Sequence, residues 1–494
     1  MRKKVVVIGS GFSGLAAACV LAQQGCDVHV FEKNSMAGGR ARTYTHQGFV
    51  FDMGPSWYWM PEIFDNFFNR FGKNTDNYYR LGRLNPSYKV IFKDSSSTDV
   101  PADITELKAE FEKLEFGSGA KLDEFLAEAK KKYEAGMHRF VWKPGHSWTE
   151  FLNLNLISEA SQLDIFNNMR KHLRKYFSHP NILQLMEFPV LFLGAKPQNT
   201  PALYSMMNYA DIVLGTWYPL GGMGAVPQAM ESLANELGVR FHFQAEVTKI
   251  KADDGKVNRV EINGRDEVDC DAIISAADYF HTELNLLDQK FRNYNEAYWN
   301  KRVMSPSSLI FYVGIDKPIR HLQHHNLFFD GDFERHAAEI YDQPAWPACP
   351  LFYLCVPSKS DNNVAPYGKE NFFILIPVAA GMQSEEEHRQ TYFEHCLSRI
   401  EKHTGESIKE HVLFAKSYAH EEFERDYHSY KGNAYGLANT LGQTAFMKPK
   451  MRNRKLKNLF YSGQLTVPGP GVPPAIISGQ LAAEEVLNYF NNHN

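Results

Sequence analysis

Three glycines near the start of the chain, Gly9, Gly11 and Gly14, fall in a G-x-G-x-x-G spacing within Val7-Ile-Gly-Ser-Gly-Phe-Ser-Gly14. The chemistry open to that spacing is pyrophosphate binding. The first glycine permits a tight turn, the second lets backbone approach the phosphates, and the third allows close helix–strand packing. The phosphate charge then rests on unpaired N–H groups at a helix N-terminus. Glu32 lies 18 residues beyond Gly14, where a carboxylate accepts hydrogen bonds from both ribose hydroxyls and repels the 2′-phosphate of NADP. Shortly after come Gly38, Gly39 and Arg40; the glycines admit close backbone approach, and a guanidinium suits pyrophosphate or flavin oxygens. At the far end, Asn458-Leu-Phe-Tyr-Ser-Gly-Gln464 reads as a short buried strand ending in Gly463. A Pro468-Gly-Pro-Gly-Val-Pro-Pro474 turn and a helical run from Ala475 to Phe490 follow it. A dinucleotide site built from both ends of the chain fits a flavin enzyme better than a compact NAD module.

Other side chains carry weaker signals. Asp211 in Asn208-Tyr-Ala-Asp211 sits among apolar residues, where burial raises a carboxyl pKa; a hydrogen-bonded Asp at a helix end is the plainer reading. His420 and His428 are open to roles as acids, bases or ligands. His321, His324 and His325 lack a Cys or acidic neighbour at metal-ligand spacing and read as surface histidines, so no metal is expected. The six cysteines, at 19, 26, 270, 349, 355 and 396, include no C-x-x-C and point to a reducing cytosol.

The elements that must hold these residues follow from the apolar pattern. Met1-Arg-Lys-Lys4 with Val5–Ala22 imitates a signal peptide, but the three glycines weaken a membrane-seeking helix and no A-x-A site follows. Strand Val5–Ile8, glycine turn, helix Leu15–Gln23 and strand Asp27–Phe31 account for more. Between Gly238 and Ile274 the pattern is strands with an Asp253-Asp-Gly255 hairpin turn. No other apolar run reaches the roughly 18–20 residues that span a bilayer; Phe372–Ala380 is short and interrupted by Pro377. The chain of 494 residues exceeds what one core holds and has a net charge of −4, which gives no electrostatic footprint for nucleic acid. Its 7 Trp, 24 Tyr and 35 Phe are a heavy aromatic load that needs a use.

The motifs Gly9-x-Gly11-x-x-Gly14, Ala37-Gly-Gly-Arg40, Gly48-Phe-Val-Phe-Asp-Met-Gly-Pro-Ser56 and Trp217-Tyr-Pro-Leu-Gly-Gly-Met-Gly224, with Gln443-x-x-Phe446 and Tyr461-Ser-Gly-Gln-Leu-Thr-Val-Pro-Gly-Pro-Gly-Val-Pro473, run through the chain in order. The sequence resembles the flavin amine-oxidase superfamily and, within it, the bacterial-type phytoene and carotenoid desaturases. The resemblance implies an α/β fold, a discontinuous Rossmann-like FAD-binding domain with an inserted mixed α+β substrate domain and helical cap. Its FAD parts would be residues 1–84, 216–294 and 415–494, and its substrate parts 85–215 and 295–414. It implies FAD contacts at Gly9, Gly11, Ser13, Gly14, Glu32, Gly39 and Arg40, with Gly54, Pro55 and Ser56 beside the flavin. Val247 would hold the adenine end, and Gly463 and Val472 would complete the pocket. Many relatives have His before the C-terminal Pro-Gly; here Val467 stands there.

The implied reaction is carotenoid desaturation, phytoene to lycopene first, with hydride passing to flavin N5. A late-pathway desaturase of a coloured or hydroxylated carotenoid is the near alternative; a flavin amine oxidase and a non-catalytic lipid carrier are the distant ones. No catalytic base is assigned. Trp57, Tyr58, Trp59, Trp217 and Tyr218 are candidates for the wall of an apolar channel, and for any single one an ordinary place in the core is an equal alternative. A carotenoid lives in lipid, so a peripheral protein on the cytoplasmic face of the cell membrane is expected, with oxygen or a quinone as electron acceptor. The basic, part-apolar segment Asn167–Phe177, with Arg170, Lys171, Arg174 and Lys175, is the candidate membrane face; a basic solvated helix face with its other side in the core is the plainer reading.

Overall fold

The computed structural model describes residues 2–147, 150, 167–191, 194 and 196–493. The apolar N-terminal stretch resolves into the expected strand, turn and helix. Lys4–Ile8 is a strand, and the Phe12–Gln23 helix is buried from Phe12 to Leu21. A helix apolar on all sides needs cover on all sides. It lies between a parallel sheet and the C-terminal helix Val472–Asn492, which begins three residues earlier than the sequence pattern predicts, with Pro473 and Pro474 in its first turn. The two helices touch closely because Gly479 faces Ser13: a Cβ on Gly479 would run into the Ser13 carbonyl oxygen, and one on Gly14 into that of Gly9.

The sheet has five parallel strands in the order Leu459–Tyr461, Ala272–Ser275, Lys4–Ile8, Asp27–Phe31 and Arg240–His242. Distant stretches of chain feed it, and Val5–Ile8 and Ala272–Ile274 are the unbroken apolar runs that a doubly covered parallel sheet requires. The expected hairpin is present: Val247–Asp253 and Lys256–Ile262 pair antiparallel around Asp254 and Gly255, both at positive φ (48° and 70°), as a tight primed turn demands.

A second, seven-stranded sheet is ordered Val412–Tyr418, Ser307–Ile315, Glu370–Val378, Phe352–Cys355, His325–Phe329, Tyr88–Phe92 and Ser97–Val100. Only His325–Phe329 with Tyr88–Phe92 pairs parallel. Side chains alternate across it. Phe311, Phe328, Leu354 and Ile374 pack with Phe393, Leu397 and Ile400 of the Glu386–Thr404 helix. The opposite face, with Leu327, Phe329, Tyr353 and Leu375, turns to a cavity that the helices Pro180–Leu191 and Met206–Ile212 help to cap, with the helix Ser118–Ala135 packed on the latter. The strand Val412–Tyr418 straddles the expected division at 414–415 and pairs wholly within this sheet.

The apolar side of the basic segment faces the core, as the plainer reading has it, while Lys171, Arg174 and Lys175 are exposed. In the short helix Met169–Leu173 the side chains of Met169, His172 and Leu173 are core, as is Phe177 beyond it. Glu187 clasps Arg170 at 3.1 and 3.2 Å and reaches Arg174 at 3.4 Å, while Glu334 also pairs with Arg170. Among the described residues no helix is long and apolar enough to cross a membrane.

Candidate active site

A cavity of about 620 Å³ lies between the two sheets. Gly9, Gly11, Ser13, Glu32, Gly39, Arg40, Gly54, Pro55, Ser56, Val247, Gly463 and Val472 all line it. Gly14 does not; it stands behind the lining as the packing glycine. The cluster sits at the carboxyl edge of the parallel sheet, where Lys4–Ile8 has neighbours reached in opposite directions, the place such sheets bind ligands.

Glu32 ends its strand with both oxygens anchored. Oε2 accepts from the N–H and hydroxyl of Ser10 at 2.9 and 2.8 Å, and Oε1 from the N–H and amide of Asn34 at 2.9 and 2.8 Å. Gly39, at φ +55°, leaves 3.1 Å between the place of a Cβ and Gly11 Cα, so two backbones meet here as only glycines allow. Arg40 donates to Ser429 Oγ at 2.9 Å and lies 5.1 Å from the Tyr427 ring centre, yet its buried Nε has no partner. Burial pulls the Arg40 pKa down, against the attraction of Asp278. Asp278 is itself pushed up to about 6 by burial, opposed by Arg40 and by N–H groups including those of His281 and Tyr430. An orphaned guanidinium nitrogen above a side-chain-free cradle fits the phosphates of a flavin nucleotide.

Beyond Ser56 the wall changes character. Trp57, Trp59, Phe188, Leu327, Phe329 and Tyr353 line this part. Trp57 lies flat on His325, ring centres 4.0 Å apart, and Trp59 donates its indole N–H to Thr216 at 2.9 Å. Tyr58, Trp217 and Tyr218 are outside the lining: Tyr58 is core, its hydroxyl 2.8 Å from that of Tyr79, Tyr218 is core, and Trp217 bonds Leu214 O at 2.9 Å. The expected channel aromatics thus divide, two in the wall and three supporting it.

Asp211 is the hydrogen-bonded helix-end carboxyl of the plainer reading. Burial raises it to about 7, and it accepts from Tyr88 at 2.7 Å and Thr216 at 3.3 Å, away from the cavity. His420 Nε2 donates to Ala379 O at 2.8 Å, a structural role. His428 stacks on His281 at 3.9 Å and meets Glu246 at 2.7 Å, and these three line the cavity beside Val247. The reading of the histidine cluster as surface is corrected for two of its members: His321 is exposed, but His324 and His325 are buried by the sheet and by Trp57. Cys355, on the neighbouring strand, brings a thiol within 4.8 Å of both rings.

Sequence reasoning missed Asp278, Ser429 and the buried Lys448. Asp278 follows the strand Ala272–Ser275 at the carboxyl edge of the sheet, a position that could have flagged it. Lys448 and Asn439 carry buried, unpartnered polar atoms beside Gly469, and burial lowers the Lys448 pKa to about 7. No local pattern announces them.

A nucleotide cradle at the edge of a parallel sheet, opening on an aromatic chamber, defines an FAD-dependent oxidoreductase. Residues 12–487 match the family of flavin containing amine oxidoreductases. The chain is 40% identical over 485 residues to a carotenoid 3,4-desaturase of Haloarcula japonica, covering 98% of each. It is 30% identical over 492 residues to a zeta-carotene-forming phytoene desaturase of Myxococcus xanthus, covering 99% of this chain and 94% of that one. The chain belongs to the flavin containing amine oxidoreductase family, in its carotenoid desaturase branch. A solved oxidoreductase from Methanosarcina mazei shares the fold, with a TM-score of 0.64 at 16% identity over 97% of this chain and 100% of that one.

Proposed function

We propose that this chain desaturates a long apolar carotenoid, removing a hydride and a neighbouring proton from a C–C single bond to extend the conjugation. Bound FAD supplies the hydride acceptor. The chain's residues bind and orient. Gly9, Gly11, Ser13, Glu32, Gly39, Arg40, Val247, Gly463 and Val472 hold the cofactor, with Gly14 securing the helix behind it. Gly54, Pro55 and Ser56 carry the cofactor end of the cavity into the aromatic wall. The observation that carries the reading is the distribution of charge in the lining. Among the described residues its carboxylates, Glu32, Glu246, Asp278 and Asp426, keep company with Lys33, Arg40 and His428, while the wall around Trp57, Trp59, Phe188 and Phe329 includes no acid to grip an amine. Aromatic faces there stabilise transient positive charge on a polyene by about 1–2 kcal/mol each.

A late, already conjugated carotenoid is the preferred substrate, since the relative of higher identity is a 3,4-desaturase. Phytoene to lycopene is the second reading, favoured by the phytoene-desaturase relative. Holoenzyme in liposomes given phytoene or lycopene separately discriminates: a red-shifted product from lycopene alone is expected, whereas loss of phytoene with lycopene untouched would install the second reading.

The cofactor lobe takes residues 1–84, 216–294 and the chain after the strand Val412–Tyr418. Membrane contact belongs on another face than the Arg170 helix. Thr444 and Ala445 line the cavity, and next to them Phe446 and Met447 are exposed, as is Val303, whose backbone is held by Gln443. An apolar rim beside the cavity would draw substrate from the lipid, on the cytoplasmic leaflet, with oxygen or a membrane quinone taking the electrons.

A further inference from the structure

Each desaturation leaves a proton in a chamber built to exclude water, and a charge stranded in such surroundings is costly. We propose that Tyr353, His325 and His324 form a proton exit from the cavity to the surface at Ser360. The inference rests on the desaturation reading above.

The cavity end is a pair of hydroxyls. Ser56 Oγ and the Tyr353 hydroxyl lie 2.9 Å apart, and both residues line the chamber. The Tyr353 hydroxyl is 2.6 Å from His325 Nδ1. His325 is fully buried, its ring pressed on Trp57. The next ring, His324, has its centre 4.4 Å away and is turned by 73°. Its Nδ1 is 3.0 Å from Ser360 Oγ, and Ser360 is exposed. Between these ends the Nε2 atoms of His325 and His324 are buried and have no partner. A nitrogen of one ring lies within 4.8 Å of a nitrogen of the other, a separation that a single water bridges with two hydrogen bonds of about 2.8 Å. Two orphaned nitrogens in an apolar core call for a partner, and as the middle of a relay they have one.

The steps balance. When hydride has left one carbon, the adjacent C–H bond breaks, its electron pair becomes the new π bond, and its proton goes to Ser56 Oγ. The Ser56 proton moves to Tyr353, that of Tyr353 to His325 Nδ1, and that of His325 Nε2 through water to His324 Nε2. The His324 Nδ1 proton then passes to Ser360 and solvent. Each hop breaks one O–H or N–H bond and forms another, and no electrons are transferred along the relay. Between turnovers the hydroxyls rotate, and exchange through water takes the proton from the nitrogen that received it and returns one to the nitrogen that gave it up, so the starting tautomers are recovered with no net gain or loss of protons. The carbon acid left after hydride loss is strong, so weakly basic groups suffice; burial does hold both imidazoles below their usual range.

Two measurements test this. The first needs no turnover: in ¹⁵N-histidine-labelled holoenzyme, with signals assigned through His324→Gln and His325→Gln, His325 is expected as the Nε2–H tautomer and His324 as the Nδ1–H tautomer. The opposite tautomer at either ring overturns the relay. So does a stoichiometric zinc or iron ion whose chelation shifts both rings, because the same histidines and Cys355 would then be a metal site. The second is anaerobic flavin reduction by a carotenoid in H₂O and D₂O. Tyr353→Phe, which removes one oxygen, is expected to slow reduction at least tenfold with KM little changed and to abolish the solvent isotope effect. His324→Ala is expected to recover with added imidazole from the Ser360 side. Wild-type rates and isotope effects in folded Tyr353→Phe overturn the relay. A wild-type enzyme that reacts with no carotenoid, yet shows the expected tautomers, defeats the desaturation reading instead.

Discussion

Arg40 is buried with one nitrogen unsatisfied, a state that a chain tolerates when a ligand completes it. Arg40→Ala should weaken FAD binding by about ten- to a hundredfold, the loss of one charge-assisted hydrogen bond; fluorescence titration of the apoprotein with FAD measures it. Arg40→Lys should recover little of that, because a lysine cannot reproduce the planar fork. Asp211 makes a separate prediction about acid. Its folded pKa of about 7 stands above the 3.8 of a freely solvated aspartate because burial disfavours the charge. Folding therefore binds a proton between those values, and stability contributed by Asp211 rises as pH falls from 7 towards 4, by up to a few kcal/mol. Asp211→Asn should remove that part of the pH dependence; chemical-denaturation midpoints compared at pH 7 and pH 5 read the difference.

At the level of elements, the cofactor cradle depends on the Phe12–Gln23 helix being pinned between sheet and C-terminal helix. Gly479→Ala puts a methyl group where the Ser13 carbonyl oxygen already lies. Overpacking of this kind costs about 1–3 kcal/mol, and because Ser13 lines the cavity the variant should lose FAD affinity as well as several degrees of thermal midpoint. A drop in stability with FAD binding intact would separate the helix contact from the site. The elements also mark where sequence reading succeeds. The glycine spacing, the Glu32 strand end and the Asp254-Gly255 turn are set by neighbours a few residues away, so they can be read locally. His324 and His325 could not be, because their burial depends on Trp57, on strand Phe352–Cys355 and on a parallel pairing to Tyr88–Phe92, all distant in sequence. The Arg170 helix is a second case: whether Met169, Leu173 and Phe177 face lipid or core depends on distant segments, as does the pairing of Arg170 with Glu187 and Glu334.

Across the whole molecule, the aromatic load serves two ends. Many rings form the cores of the two sheets, and a smaller set walls the chamber between them. The exposed rim at Val303, Phe446 and Met447 stands beside that chamber. Met447→Asp should reduce sedimentation with anionic vesicles and slow turnover of liposomal substrate, while leaving turnover of detergent-solubilised substrate unchanged; equal loss in both would place Met447 in folding rather than docking. The most direct test of the account is anaerobic mixing of oxidised holoenzyme with a conjugated carotenoid, followed by absorbance. The oxidised flavin band should fall in step with the growth of longer-wavelength polyene absorption, one new double bond per flavin reduced. Flavin reduction by putrescine or another primary amine, with every carotenoid inert, would contradict it.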